Sequence, residues 1–320
     1  MPGKFTISCL QTKPKGDFET AIEEALRLAE KSLDHNPAII CLPEYCGGLK
    51  SKNGKFYPPH CDEDHHPFLQ EFKNFSKKNN VWVSIGSIAI TSNNKKFFNR
   101  SLLLNDKGEI KYRYDKIHLF DIDLGDNTNS FLESSTVKPG NETAIVKTPF
   151  GIIGFSVCYD LRFAQLYRNL SQNGAEILLV PSAFTKITGE AHWHVLNRAR
   201  AIENGAFVIS TCATGPIDGG GETFGHSLII NPWGKVIADG GKDSGIISAE
   251  IDIRKVKNQM VELGSKSLLE INQFAKTVGV SGGLSNDFVV EINRLVKEGS
   301  FNENTRMAFN KKLAEEILRI

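Results

Sequence analysis

The most constraining feature of this sequence is the alternation of strand and helix patterns over its first 90 residues. Phe5–Leu10 alternates like a strand, and Asp17 then precedes apolar residues spaced three or four apart, which predicts an amphipathic helix with Asp17 as its N-cap. Ala38–Leu42 predicts a buried strand, and Phe68–Phe75 and Val81–Ile90 repeat the helix–strand pattern. This order predicts a layered α/β fold in which helices cover a sheet.

The middle of the chain is richer in strand patterns. Turn sequences at 105–108, 148–151 and 231–234 each separate two apolar runs, which predicts three hairpins. Helical spacing at about 162–173 and 190–204 precedes further strands. No linker divides residues 1–264, so we expect one domain there. Residues 265–320 have no strand pattern, and their helically spaced apolar residues predict a helical C-terminal extension.

The charge balance excludes several classes of partner. The chain has 38 Lys plus Arg and 37 Asp plus Glu, a net charge of +1, which argues against nucleic-acid binding and a basic membrane anchor. No apolar run is long enough to span a membrane, and no signal-peptide pattern is visible. The six cysteines form no CxxC pair, so we expect reduced thiols and a cytoplasmic location.

Three polar residues lie directly after predicted strands. Glu44 and Lys116 each follow one, and Cys158 lies between a strand and a helix. The carboxyl ends of strands are where α/β ligand sites form. Backbone amides and the helix N-terminus at such an elbow can lower the pKa of Cys158 and bind an oxyanion. Taken singly, a solvated Glu, a snorkelling Lys and a packed thiol remain the alternatives.

The segments around these residues carry a family resemblance. LPEY around Glu44, YDKIHLFDID around Lys116 and GFSVCYDLRF around Cys158 resemble the three signature blocks of the nitrilase superfamily of carbon–nitrogen hydrolases. The resemblance spans about residues 4–262 and is greatest to the branch of small-acid amidases. It implies a four-layer αββα sandwich for residues 1–264 and a homodimer or a larger homo-oligomer. Residues 265–320 have no counterpart in it.

The resemblance also implies roles for five residues. Cys158 is the nucleophile that forms a thioester, and Glu44 is the general base. Lys116 stays cationic and holds the oxyanion, with the backbone amide of Tyr159 as a second donor. Glu133 orients Lys116 and the substrate.

Recognition of a substrate carboxylate is expected of this branch. On the matching segments, Thr185, Lys186 and Arg198 are the candidate substrate-binding residues. Arg162 is expected to have a structural role, with Asp160 either as its partner or as a helix-start residue. The expected substrate is a small amide, and no cofactor is implied.

One segment is dense in possible metal ligands. His60–His66 contains three histidines, a cysteine and three acidic residues. It lacks the spacing of a known metal motif and follows two prolines, so we interpret it as a solvated loop and expect no metal.

Three functions remain open at this point. The leading one is an amidase acting on deaminated glutathione, or else an omega-amidase acting on alpha-ketoglutaramate. The second is a nitrilase, or an N-carbamoyl amino acid amidohydrolase with the same triad. The third is a non-catalytic scaffold, against which the intact Glu44, Lys116 and Cys158 argue.

Overall fold

The computed structural model describes residues 3–52, 55–92, 96–123 and 130–256. Within them lie four α-helices: α1 (Phe18–Ser32), α2 (Pro67–Asn79), α3 (Ala164–Gln172) and α4 (Lys186–Asn204). Short 3-10 turns occupy Leu33–His35, Glu133–Ser135 and Cys158–Arg162. The helical prediction for 265–320 lies outside the described residues.

The described residues form nineteen strands. Those of the first half are β1 (Lys4–Gln11), β2 (Pro37–Cys41), β3 (Ser51–Lys52), β4 (Lys55–Phe56), β5 (His60–Cys61), β6 (Trp82–Thr91), β7 (Phe97–Leu104), β8 (Ile110–Asp115), β9 (Asp121–Asp123) and β10 (Ser130–Leu132). Those of the second half are β11 (Ile145–Thr148), β12 (Gly151–Phe155), β13 (Ile177–Leu179), β14 (Phe207–Ser210), β15 (Thr214–Pro216), β16 (Glu222–Phe224), β17 (Leu228–Ile230), β18 (Val236–Asp239) and β19 (Gly245–Asp252).

Most strands belong to two large sheets. The first has the order β19-β1-β2-β6-β7-β8, with β5 beside β6, and the second has the order β11-β12-β13-β14-β17-β18. Each sheet is mixed: strands joined through a helix pair in parallel, as β1 with β2 and β13 with β14 do, whereas hairpin neighbours such as β7 and β8 are antiparallel. Strands β3 with β4, β9 with β10, and β15 with β16 form small separate ribbons.

The two sheets form the inner layers, and the helices cover their outer faces. Helices α1 and α2 contact β1, β2 and β6, and helices α3 and α4 contact β12, β14 and β17. One apolar core joins the sheets, with Ile7 and Ile39 from the first packing in the same cluster as Phe155 and Ile177 from the second. A second core lies between the first sheet and its helices. The four-layer αββα sandwich expected for this part of the chain is confirmed.

Local patterns account for most of these elements. Asp17 is the N-cap of α1, and its carboxylate accepts from the backbone N–H of Thr20 at 2.9 Å. The three predicted hairpins are present as β7–β8, β11–β12 and β17–β18. Helix α4 begins at Lys186, four residues before the predicted start. In the described part of the chain, no helix combines the length and the apolar character that a membrane span needs.

Candidate active site

The sandwich brings the three polar segments to one edge. Glu44 follows β2 in the first sheet, and Lys116 directly follows β8 of the same sheet. Cys158 begins the 3-10 turn after β12 in the second sheet, with its backbone in the left-handed region at φ +47°. Non-glycine residues rarely adopt this conformation, and those that do are often found at functional sites. The Cys158 N–H donates to the Pro181 carbonyl at 2.9 Å, which holds the turn against the next strand's end.

Lys116 lies between two carboxylates. Its Nζ is 2.9 Å from Glu44 Oε1, and 3.1 and 2.9 Å from Glu133 Oε1 and Oε2. The three side chains are only 2%, 3% and 0% exposed. Burial by itself would lower the pKa of Lys116, but Glu133 and Glu44 outweigh it and hold that pKa well above its ordinary value. Lys116 is therefore a fixed buried cation.

Further donors hold the two carboxylates in place. The Ala183 N–H donates to Glu44 Oε2 at 2.8 Å, and the Phe120 N–H donates to Glu133 Oε2 at 2.6 Å. The Tyr45 hydroxyl donates to Glu133 Oε1 at 3.1 Å, and burial raises the pKa of Tyr45 well above its ordinary value, so this hydroxyl keeps its proton. These backbone N–H groups reach the carboxylates only when the loops are folded. No pattern in the sequence could therefore have predicted these hydrogen bonds.

The Cys158 thiol differs from the sequence-based expectation. Burial first, and then the negative charge of Glu44, raise the pKa of Cys158 well above its ordinary value, and the opposing charge of Lys116 does not offset them. The expected lowering by the elbow is therefore wrong, because the thiol lies in the interior, only 8% exposed. The Cys158 and Glu44 side chains line the same pocket. A neutral thiol next to a carboxylate requires that carboxylate as a base before it can attack.

A pocket opens beside the thiol. Its lining combines the charged cluster with aromatic and small polar side chains: Glu44, Tyr45, Phe56, Lys116, Phe120, Cys158, Tyr159, Ala183, Phe184, Thr185 and Thr188. Of the expected substrate-binding residues, Thr185 lies in this lining, and its hydroxyl is 2.7 Å from that of Thr188. Tyr159, the expected second oxyanion donor, also lines the pocket.

The other two expected substrate-binding residues lie elsewhere. Lys186 forms a half-exposed ion pair with Glu222 at 2.8 Å. Arg198 Nε donates to the Gly234 carbonyl at 2.9 Å and so fastens the 231–234 turn to α4. Neither side chain lines the pocket that the described residues form. Both sit on α4, which contributes Thr188 to the lining instead.

Asp160 is fully engaged without Arg162. Its two carboxylate oxygens accept from the Tyr114 hydroxyl at 2.7 Å, from the Val157 N–H at 2.8 Å, and from both the backbone N–H and Nδ1 of His118. Asp160 therefore holds the start of the 3-10 turn, as a helix-start residue does, and does not pair with Arg162.

Arg162 instead packs on two aromatic residues of the pocket lining, without being part of that lining itself. Its guanidinium sits over the rings of Tyr159 and Phe184, 5.8 and 5.5 Å from their centroids, and both rings line the pocket. One terminal nitrogen is 3.3 Å from His192 Nδ1. Its Nε is buried and has no hydrogen-bond partner among the described residues. From the sequence, Arg162 was interpreted as a structural residue because it lies four positions after Cys158.

The segment His60–His66 uses its side chains in local contacts. His60 bonds to Thr91 at 3.1 Å and His65 to Asp62 at 2.7 Å. Glu63 pairs with Arg100 and Arg113. His66 is buried, and burial lowers its pKa to about 4, so it is neutral.

Another group with metal-ligand chemistry lies away from this segment. His194, His226 and Asp239 present donor atoms within 4.8 Å of one another. The Asp239 carboxylate is 2.9 Å from a ring nitrogen of each histidine, so the three side chains already satisfy one another.

Comparisons with known proteins show which family the chain belongs to. The sequence profile of the carbon–nitrogen hydrolase family matches residues 6–259. The chain is 35% identical over 254 residues to the deaminated glutathione amidase of Yersinia enterocolitica, covering 78% of this chain and 86% of that protein. It is 38% identical over 228 residues to the deaminated glutathione amidase of Dictyostelium discoideum, covering 69% and 78%.

A solved structure shares the fold. The crystal structure of the Caenorhabditis elegans NitFhit protein matches with a TM-score of 0.73 and 29% identity over 82% of this chain. The match covers 63% of the NitFhit chain, so this chain spans less than two thirds of that protein. From the family profile and these relatives, the chain belongs to the carbon–nitrogen hydrolase family of the nitrilase superfamily and is a hydrolase of carbon–nitrogen bonds other than peptide bonds.

Proposed function

We propose that this protein is a cysteine-dependent amidase in which Cys158, Glu44 and Lys116 carry the reaction and Glu133 holds the lysine. One observation carries the proposal: the buried Cys158 thiol lines the same pocket as Glu44, whose carboxylate is paired with the buried Lys116 at 2.9 Å. A thiol, a base and a fixed cation at one pocket are the parts that acyl transfer needs.

Acylation begins with the Cys158 proton. Glu44 takes this proton while the sulfur attacks the amide carbonyl carbon, and the carbonyl π electrons move to the oxygen. Lys116 and the Tyr159 backbone N–H stabilise that oxyanion. The carbon–nitrogen bond then breaks, Glu44 returns the proton to the departing nitrogen, and ammonia or an amine leaves. The product of this half-reaction is a thioester on Cys158.

Deacylation repeats the same steps with water. Glu44 takes a proton from a water molecule as its oxygen attacks the thioester carbon. The carbon–sulfur bond breaks, the proton returns to the sulfur, and a carboxylic acid is released. Because Glu44 accepts a proton at the start of each half-reaction and returns it at the end, one residue serves both halves of the cycle.

We propose deaminated glutathione as the substrate, which is the substrate named for both relatives. A substrate that carries a carboxylate fits this site, because the Arg162 guanidinium stacks on two rings of the pocket lining and its buried Nε has no partner in the described structure. An arginine fork binds a carboxylate through two parallel hydrogen bonds. Thr185 and Thr188 add hydroxyls on the same lining.

A substrate panel tests the proposal. The full chain is assayed with deaminated glutathione, alpha-ketoglutaramate, an N-carbamoyl amino acid and a simple nitrile. The highest kcat/KM is expected with deaminated glutathione, and mass spectrometry of acid-quenched enzyme should show an acyl adduct on Cys158. Turnover by Cys158→Ala, or no turnover of any compound in the panel, contradicts the proposal.

We also propose a homo-oligomer. Helix α4 exposes Ile187 and Val195 by 59% and 69%, and Ile202 on the same side is 47% exposed. An apolar stripe of this kind is typical of a surface covered in an assembly. Light scattering of the wild type and of Val195→Glu would test it, and a wild-type monomer would contradict it.

The domain boundary and the location remain proposals. We propose residues 1–264 as the catalytic domain, residues 265–320 as a helical extension that strengthens the assembly, and a reducing cytoplasmic location in which the thiol stays intact. Truncation after Gly264 should lower the assembly mass or the melting temperature. If mass, melting and turnover are all unchanged, the extension has no such role.

A further inference from the structure

Asn99 contacts every charged member of the catalytic cluster. It lies on β7 with no exposed surface. Its Nδ2 is 2.8 Å from Glu44 Oε1 and 3.3 Å from Glu133 Oε1, and its backbone carbonyl accepts from the Lys116 N–H at 3.0 Å. Within the described structure, Lys116 and Asn99 are the two side chains that hydrogen bond to both carboxylates.

The orientation of the Asn99 amide is dictated by these neighbours. Rotating the amide by half a turn would place Oδ1 against two carboxylate oxygens, which cannot donate. The NH2 group therefore faces the carboxylates. Oδ1 is left buried and without a partner among the described residues. A buried unsatisfied oxygen is costly and uncommon, and the structure accepts it to present the amide donor here.

The charge of the cluster explains why a second donor is needed. Glu44 and Glu133 bring two negative charges and Lys116 brings one positive charge, so the buried group is short of positive charge. Glu44 Oε1 and Glu133 Oε1 each accept from both Lys116 and Asn99, which closes a ring of four side chains. The ring holds the two carboxylates apart at fixed angles.

We propose that Asn99 is a positioning residue that fixes the Glu44 carboxylate for proton transfer from Cys158, an inference that rests on the proposed amidase function. Glu44 Oε1 already accepts two hydrogen bonds from the ring, whereas Oε2 accepts one from the Ala183 N–H. The free acceptor position on Glu44 is therefore on Oε2. Asn99 acts by keeping Oε1 on the Lys116 side, so that Oε2 receives the Cys158 proton.

Two substitutions separate the donor from its packing. Asn99→Leu keeps the approximate shape and removes the donor, and Asn99→Ser keeps a smaller donor. We expect Asn99→Leu to lower kcat about 10- to 100-fold, the range for one lost hydrogen bond to a charged group, with KM changed less than about threefold. Asn99→Ser should have a higher kcat than Asn99→Leu, whichever of the two variants has the lower melting temperature. Asn197→Leu is the matched control, because Asn197 is equally buried and its Nδ2 bonds to the Trp193 carbonyl.

The control should lower the melting temperature and leave kcat unchanged. If kcat instead follows melting temperature across all three variants, Asn99 is only structural and the inference is overturned. If Asn99→Leu does not fold, the kcat of Asn99→Ser decides: a value equal to that of the wild type overturns the inference.

A second measurement does not depend on the substrate. Iodoacetamide reacts with the thiolate, which forms only if Glu44 takes the proton, so its rate at Cys158 should also fall in Asn99→Leu. If the wild type hydrolyses no amide yet this rate falls in the variant, the proposed function fails and the role of Asn99 stands. An unchanged rate in a folded variant overturns that role.

Discussion

Two groups of polar and charged side chains lie on opposite faces of strands β7 and β8. Asn99 and Lys116 point inward to Glu44 and Glu133, whereas their chain neighbours Arg100 and Asp115 form an ion pair on the other face. Arg100 also pairs with Glu63, which Arg113 contacts at 2.7 Å. Distances between charged atoms are alike in both groups, between 2.7 and 3.1 Å.

The two groups differ in exposure and in charge balance. Side chains of the outer network are 16% to 47% exposed, and its two arginines match its two carboxylates. The inner cluster is at most 3% exposed and has one cation for two carboxylates, with a neutral thiol beside them. The outer network is in contact with water and its charges are balanced, so a proton transfer would not stabilise it. The inner cluster has one more carboxylate than cation, so its charges are not balanced.

The largest expected effect is the loss of the thiol on the inner face. Cys158→Ala should abolish turnover, because no other side chain supplies the nucleophile, and it should leave circular dichroism unchanged. Cys41→Ala, which removes a buried thiol of the core, is the control and should keep wild-type turnover. Residual thioester chemistry in Cys158→Ala would refute the assignment.

The two cations should respond differently to the same substitution. Lys116→Met is expected to lower kcat by at least about 10² to 10³ and to cost about 3–5 kcal/mol of stability, because it leaves two buried carboxylates without their cation. Arg100→Met should cost about 1–2 kcal/mol and leave kcat unchanged. Urea unfolding and steady-state kinetics measure both. Equal kinetic losses in the two variants would end the distinction between the faces.

Arg162 belongs to neither arrangement, since no ion pair joins it to a carboxylate in the described structure. Arg162→Met should raise KM about 10- to 100-fold for a substrate with a carboxylate, the range for one lost charged hydrogen bond. A neutral amide analogue should be affected much less, and Arg198→Met is the control on α4. Equal losses on both substrates would show that Arg162 supports the fold rather than the ligand.

The smallest effect concerns acid stability of the outer network. Burial would raise the pKa of Glu63, but hydrogen bonds from Arg113 and Arg100 outweigh it and lower the pKa below 4.5. The network therefore contributes its full stabilisation at pH values above the unfolded-state pKa of Glu63. That stabilisation is lost as the pH falls through the lower folded-state pKa of Glu63. Urea unfolding of wild type and Arg100→Met from about pH 6 to about pH 3 should show a smaller acid dependence in the variant. Parallel curves would remove this role for Glu63.

Local sequence patterns correctly predicted the structural features that depend on interactions between neighbouring residues. The N-cap Asp17, the hairpin turns and the strand endings at Glu44, Lys116 and Cys158 are properties of a few neighbouring residues, and the structure has them where the sequence indicated. The catalytic triad was predicted from its flanking motifs, not from spacing alone, and it stays a prediction.

What the sequence did not predict depends on distant parts of the chain. The pKa of Cys158 is raised because the packing of the two sheets buries it. Asn99 reaches Glu44 because β7 and β2 belong to the same sheet, with β6 between them. The pairing of Arg162 failed because Asp160 is occupied by Tyr114 and His118, which lie more than 40 residues away in the chain. Side-chain competition of this kind leaves no local pattern.

The hydrogen bond from Ala183 to Glu44 joins residues 139 positions apart and links the two sheets. Contacts between such distant residues close large loops and form late in folding. The catalytic geometry therefore exists only after both sheets have docked, and a half-folded chain with either sheet alone has no working site. During refolding, the return of turnover should lag behind the return of sheet circular dichroism, which makes activity a reporter of the final docking of the two halves.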